Sequence, residues 1–155
     1  YVCDVDGVLS AERAAELTPE QAVFARSDAA AGMDLQTCID TVKPHILLGL
    51  TACPGLFTEE VVSSMAASNE RPIIFPLSNP TSKCEASAEQ VYAWTKGRAV
   101  FASGSPFDNV VLNGTTYRPS QCNNMFIFPG LGLGATLCSP KTISEGASIF
   151  GARLA

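Results

Sequence analysis

Three short apolar runs recur along the chain, each followed by small or polar residues and then by a capped helical segment. They are His45–Thr51 (HILLGLT), Pro72–Leu77 (PIIFPL) and Ala99–Ala102 (AVFA). A continuous apolar run of this length reads as a strand buried on both faces, the kind found in a parallel sheet. Between the first two runs, Thr58 is placed to cap a helix that turns Val61, Val62, Met65 and Ala66 inward. Between the second and third, Ser87 caps a helix through Trp94, and Gln90 completes a capping box. Strands alternating with helices at this spacing predict an α/β fold: a doubly wound parallel sheet with right-handed crossovers.

The flanking segments add further elements. Val2–Leu9 reads as a buried strand running into a turn. Thr18-Pro19-Glu20-Gln21 is a helix start, with a helix continuing to about Ser27. Leu35, Cys38, Ile39 and Val42 fall at helical spacing, and that helix ends before Pro44. Asn113-Gly114 is a hairpin turn. Asn124–Leu137 reads as a buried helix start, and Ala147–Ala155 as a helix cut short. The chain does not begin with Met and opens inside an apolar segment, so it is expected to be a piece of a longer protein.

Composition narrows the function classes. Hydrophobic residues make up 46% of the 155 residues, which excludes disorder. The longest apolar stretches, about seven residues, fall far short of the roughly 20 that a membrane-spanning helix needs, so no membrane partner is expected. Ten Lys and Arg are scattered through a chain of net charge −5, which gives no basic stripe for nucleic acid. The six cysteines form no CxxC and stand at no zinc spacing with the single histidine, His45. Cys3, Cys53 and Cys138 lie in apolar or small-residue segments, so buried, reduced thiols in an intracellular protein are expected; cytoplasmic and mitochondrial locations both stay open. Charged residues are only 16%, against about 25% in a free-standing domain. Part of the surface is expected to be covered by other domains, a partner subunit or ligand.

In a parallel sheet, ligands bind beyond the carboxyl ends of the strands. The residues in such places are Asp4, then Gly49, Leu50 and Thr51, then Ser78 and Asn79, then Ser103–Ser105. Asp4 has three readings. It is a solvated turn residue, or the acidic residue that meets the adenosine ribose in a dinucleotide fold. In the third, DVDGV resembles the first motif of the haloacid-dehalogenase phosphatases, with Asp4 as phosphoryl acceptor, Asp6 as acid/base and Mg²⁺ between them. That chemistry needs a lysine and an acidic pair at later strand ends, where this chain has Ser78-Asn79-Pro80 and Ser103-Gly104-Ser105. Asn123 and Asn124, before an apolar segment, read as amides directed at a ligand or as turn residues.

Three longer segments favour the dinucleotide reading. NERPIIFPLSNPTSKCEASAEQVY (69–92), GRAVFASGSPFDNV (97–110) and SQCNNMFIFPGLGLG (120–134) resemble, in the same order and at similar spacing, the malic enzyme blocks NERPxIFALSNPTxxAECTAEQAY, GRxIFASGSPFxPV and GQGNNxYIFPGxxLG. The similarity runs from about Asp4 to about Gly146. Pro76 stands where the family has Ala, and Cys122 where it has Gly.

The resemblance implies a Rossmann-like NAD(P)-binding domain in part, residues 1–155, without its first strand and Gly-rich loop. It implies oxidation of L-malate by NAD or NADP and decarboxylation to pyruvate and CO₂, assisted by Mn²⁺ or Mg²⁺. The family's proton-transferring Lys and Tyr, its metal carboxylates and its phosphate loop precede this segment, so no catalytic or metal residue is carried over. The substrate positions carried over are Asn79, Asn123 and Asn124. The cofactor positions are Asp4, Gln21, Gly49, Leu50, Thr51, Ser78 and Asn79. Gln21 stands where many NADP-using members place a Lys, and this leans the choice toward NAD. The family is commonly a homo-oligomer, and the isolated chain is expected to be inactive. A non-catalytic nucleotide-binding module is the remaining alternative.

Overall fold

The computed structural model describes residues 1–143. In chain order its elements are β1 (Cys3–Asp4), β2 (Gly7–Val8), α1 (Pro19–Ala22), α2 (Leu35–Val42), β3 (Ile46–Gly49), α3 (Glu59–Ser68), β4 (Ile73–Pro76), α4 (Ala88–Trp94), β5 (Val100–Ser103), β6 (Val110–Leu112), β7 (Thr115–Tyr117), β8 (Ser120–Gln121) and α5 (Phe128–Cys138). Four strands form one parallel sheet in the order β3-β4-β5-β8. With its helices this is an α/β, Rossmann-like arrangement.

The capped helices form where the sequence places them. Thr58 Oγ1 accepts from the Val61 N–H and starts α3. Ser87 and Gln90 form the full reciprocal box at α4, and Thr18 and Gln21 form the same box at α1. Asp34 caps α2, and Lys43, with φ 51°, ends it one residue before Pro44. Val61, Val62, Met65 and Ala66 are the buried face of α3, and the first three join Ile74 of β4, Phe101 of β5 and Val91 of α4 in the main core. Pro76, which has no N–H to give a ladder, is the last residue of β4, where the ladder ends. Asn113 and Gly114 make the tight turn between β6 and β7 with φ of 50° and 78°.

Several expectations are corrected. Val2–Leu9 is not a strand of the main sheet. It folds back on itself as the antiparallel pair β1–β2, because Asp6 N–H bonds to Asp4 Oδ1 and Gly7 takes φ 101°, which bends the chain at once. The helix after Thr18 is four residues long and ends at Ala22 rather than near Ser27. Strand β3 is buried on one face only: Leu47 and Gly49 point inward, while Ile46 and Leu48 are exposed beside an edge that no described strand pairs. Helix α5 forms, but none of its residues is buried; Phe128, Leu133 and Leu137 are exposed. All six cysteines are free, yet only Cys38 and Cys84 are buried, Cys3 is half-buried, and Cys53, Cys122 and Cys138 are exposed. The helix expected at Ala147–Ala155 lies outside the described residues.

Met65 is fully buried at the meeting of α3 with the sheet. Met65→Ala removes that contact and leaves a cavity, so it should cost about 2–5 kcal/mol, read as a lower midpoint in urea unfolding. A surface change such as Ala67→Ser should stay within about 0.5 kcal/mol.

Candidate functional site

The loops that follow β3 and β4 converge on one side chain, Glu85, a residue outside the sequence expectations. It is fully buried. Its Oε1 accepts from the Thr51 N–H at 2.8 Å, the Thr51 hydroxyl at 2.9 Å and the Ser78 hydroxyl at 2.5 Å. The Ser78 oxygen in turn accepts from the Ala52 N–H at 2.8 Å. A carboxylate only accepts, and every partner here donates, so the buried charge is compensated. Burial pushes the Glu85 carboxyl up, but the bonds from Ser78 and Thr51 outweigh it and hold the group below its usual range. Gly49 makes room for this: a Cβ there would fall 2.5 Å from the Glu85 carboxyl carbon. Gly49, Thr51 and Ser78, three of the expected positions, are thus one unit. The only sequence signal for Glu85 is its place in the NPTSKCE stretch that follows Asn79.

A second cluster surrounds Gly104, after β5. Ser105 Oγ donates to Asn79 Oδ1 at 2.7 Å, and Asn123 Nδ2 donates to the Gly104 carbonyl at 2.6 Å. Gln121 Nε2 reaches the same carbonyl at 3.3 Å. A Cβ on Gly104 would overlap the Leu77 carbonyl oxygen, so glycine is what lets the β4 and β5 loops touch. Strand β8, absent from the sequence expectations, pairs with β5 and delivers Asn123 to this place. Asn123 Oδ1 also accepts from the Met125 N–H, so turn chemistry claims part of this amide. Asn124 is exposed, apart from these bonds. Asn79 and Asn123 are therefore brought together, and Asn124 stands beside them.

Asp4, Leu50 and Thr51 share the wall of a cleft of about 880 Å³, with Leu48, Phe57 and Val61 supplying an apolar side and Gln36 a polar one. Gln36 Oε1 is buried with no hydrogen-bond partner. At the mouth, Arg13 clasps both Asp4 oxygens at 2.9 Å and also donates to the Gly7 and Val8 carbonyls. This guanidinium holds the Asp4 carboxyl below its usual range. Gln21 Nε2 reaches Asp4 Oδ2 at 3.4 Å, the weakest of the contacts to that carboxylate. Arg13, outside the sequence expectations, is thus the main partner of Asp4. An apolar slot closed by an acidic residue suits a ring and ribose with hydroxyls to donate. Held by Arg13, Asp4 is not a free phosphoryl acceptor.

The malic enzyme NAD-binding domain family matches residues 1–153. The chain belongs to the malic enzyme family. It is 44% identical to the NADP-dependent malic enzyme of Dictyostelium discoideum over 99% of this chain and 28% of that protein. It is 49% identical to the NADP-dependent malic enzyme of Mus musculus over 94% of this chain and 25% of that protein. It is 50% identical to the NAD-dependent malic enzyme of Shewanella sp. (strain MR-4) over 73% of this chain and 20% of that protein. The chain spans about a quarter of the length of the curated relatives it matches. Similarity to both NAD- and NADP-dependent malic enzymes leaves the cofactor class as a nicotinamide dinucleotide.

In this malic enzyme domain, Glu85 makes a stability prediction. Its carboxyl titrates lower folded than unfolded. Its contribution is complete above the unfolded value, about 4.3, and is lost as pH falls through the lower folded value. Glu85→Gln can keep one oxygen toward Thr51 and Ser78, but it removes the charge from those bonds and sets an NH2 against the Ser78 N–H, and should cost about 1–3 kcal/mol. Urea unfolding at neutral and acid pH should show the variant less stable at neutral pH and less sensitive to acid.

Proposed function

We propose that these residues form the cofactor-binding part of an enzyme that oxidises L-malate with NAD(P) and releases pyruvate and CO₂. The observation that carries the reading is the link between the two clusters at the carboxyl ends of β3, β4 and β5: Thr51 lines the Asp4 cleft and shares Glu85 with Ser78, the neighbour of Asn79. Asp4 would accept from the ribose hydroxyls, with the long Gln21 contact the first to give way. Leu50 and Thr51 would lie against the adenosine half, on the base that Gly49, Ser78 and Glu85 fix. The bound nicotinamide supplies a hydride acceptor.

Asn79, Asn123 and Asn124 would hold malate near it. Neutral amides donate to a carboxylate or carbonyl without adding charge to the site. Asn79 is oriented for this, because Ser105 occupies its oxygen and the amide nitrogen has no hydrogen-bond partner among the described residues. Among the described residues no three His, Cys, Asp or Glu lie together to hold a metal ion, so they do not fit Mn²⁺ or Mg²⁺. The metal and the proton-transfer groups of this reading belong to other parts of a full-length enzyme, and the 155-residue chain alone is inactive.

NAD is the preferred cofactor. Arg13 is committed to Asp4, and Arg26 bonds to Asp28 at 2.7 Å through two nitrogens. Neither is left to meet a 2′-phosphate, and Asp4 would repel one.

In the full-length enzyme, Asn79→Ala or Asn124→Ala should lower kcat/KM by an amount equivalent to about 1–3 kcal/mol. Unchanged kcat/KM in both variants sinks the substrate assignment. Gln21→Lys should raise the NADP-to-NAD ratio of kcat/KM; an unmoved ratio would leave Gln21 as a helix cap only. Malate-dependent NAD(P)H formation by the 155 residues alone would contradict their inactivity.

A further inference from the structure

A second cleft lies at the other end of the strands. It has a volume of about 620 Å³ and is bounded by Arg71, Arg98 and Arg118, with Glu70 on its rim and Tyr92 and Tyr117 behind. Arg71 stands two residues before the start of β4, Arg98 two residues before the start of β5, and Arg118 directly follows β7. Asn79 and Ser105 follow the opposite ends of β4 and β5. Six residues of near-extended chain separate Arg71 from Ser78, on the order of 20 Å. The cleft is therefore remote from the cofactor and substrate loops.

The three arginines do different work. Arg98 is committed: Nη1 donates to the Asn69 and Glu70 carbonyls at 3.1 Å each and Nη2 to the Ala66 carbonyl at 2.9 Å, closing the end of α3. It adds fixed positive charge to the wall. Arg71 and Arg118 are exposed and have no hydrogen bond or ion pair among the described residues. The back wall is rigid, because the Tyr117 ring stacks on Tyr92 with centroids 4.7 Å apart. The Tyr117 hydroxyl packs directly on Gly97, where any side chain would overlap it. Three guanidinium groups against one carboxylate leave an excess of two positive charges in a chain of net charge −5. That excess matches a dianion, and guanidinium forks bind the paired oxygens of phosphates and carboxylates in two-point fashion.

We propose that the Arg71–Arg98–Arg118 cleft is a binding site for a small dianion, of phosphate or dicarboxylate type, separate from the nicotinamide site. Arg71 and Arg118 supply the donors that reach the ligand, Arg98 supplies the field, and the Tyr117–Tyr92 stack forms the wall behind them.

The test uses the full-length enzyme with saturating NAD, so that phosphate cannot enter the cofactor's own phosphate subsite, and at fixed ionic strength. Orthophosphate and, separately, succinate are titrated calorimetrically. At least one should bind at one equivalent per chain with a Kd at or below about 1 mM. Orthophosphate alone identifies a tetrahedral anion, and succinate alone a dicarboxylate. Arg118→Gln should weaken binding about tenfold, and Arg71→Gln with Arg118→Gln should abolish it. Lys43→Gln, which removes the same charge elsewhere, should leave the affinity unchanged. The proposal is overturned if neither anion binds, if the double variant binds as the parent does, or if Lys43→Gln weakens binding as much as Arg118→Gln. Arg118 is exposed, so its single variant reads the site even if the double variant is poorly folded. These outcomes are separate from malate turnover, which tests the other end of the sheet.

Discussion

The Glu85 carboxylate receives hydrogen bonds from loops that follow two different strands, and the shape of the carboxyl end of the sheet depends on it. Thr51 belongs to the loop after β3 and Ser78 to the loop after β4. Without a common acceptor, the exposed ends of two parallel strands would leave their N–H groups to water and the loops would be free to separate. A buried carboxylate changes that balance, since each donor lost would leave charge unpaired in a dry place. The arrangement requires Gly49 on one side, and it holds Leu50 and Thr51 against the cleft wall as a consequence. Rigidity at this point is a condition for binding a long, flexible cofactor, because ordering a loop on binding subtracts from affinity.

Asp4 is the counterpart with the opposite outcome. It too is an acidic group held below its usual range, but it lies at the cleft mouth and its main partner is a charged guanidinium. Its contacts are graded: Arg13 at 2.9 Å on both oxygens, Asp6 N–H at 2.9 Å, and Gln21 at 3.4 Å. Glu85 is closed within its own chain, whereas Asp4 has one weak contact that a ligand hydroxyl can replace. The two carboxylates differ both in burial and in partner: Glu85 is enclosed by neutral donors, and Asp4 lines the cleft beside a guanidinium.

Much of the fold was legible because its signals are local. Thr18, Thr58 and Ser87 act on N–H groups three residues away, and Asn113-Gly114 sets its own turn, so reading short windows recovers them. The three central strands follow from apolar runs between such helices. Most of what escaped was set by distant partners. Within Val2–Leu9, the Asp4–Asp6 turn and Gly7 do mark a fold-back, but the apolar run around them masked that signal and the segment read as one strand. Nothing near Glu85 says that Thr51, 34 residues earlier, will donate to it. The apolar run at Ile46–Gly49 carries no mark that one of its faces borders a cleft. The strand-end rule named Thr51, Ser78 and Asn79 from element order alone, and the structure puts them in the loops after β3 and β4; Asp4, named by the same rule, lies instead on the β1–β2 hairpin, and its bond to Arg13, like the bonds of Thr51 and Ser78 to Glu85, needed three dimensions.

The exposed apolar side chains then separate into two kinds. Leu48 and Leu50 stand on the wall of the Asp4 cleft, opposite Val2 and Val5 of the β1–β2 hairpin, so their exposure is that of an open slot. On the proposed reading, a flat ring entering there would remove apolar surface from water on both sides at about 25 cal/mol per Å², and Asp4 would set its orientation. The apolar residues of α5 border neither cleft. A single cause therefore does not account for a charged fraction of 16%. One part of the apolar surface lines the Asp4 cleft, and the part on α5 lies outside both clefts.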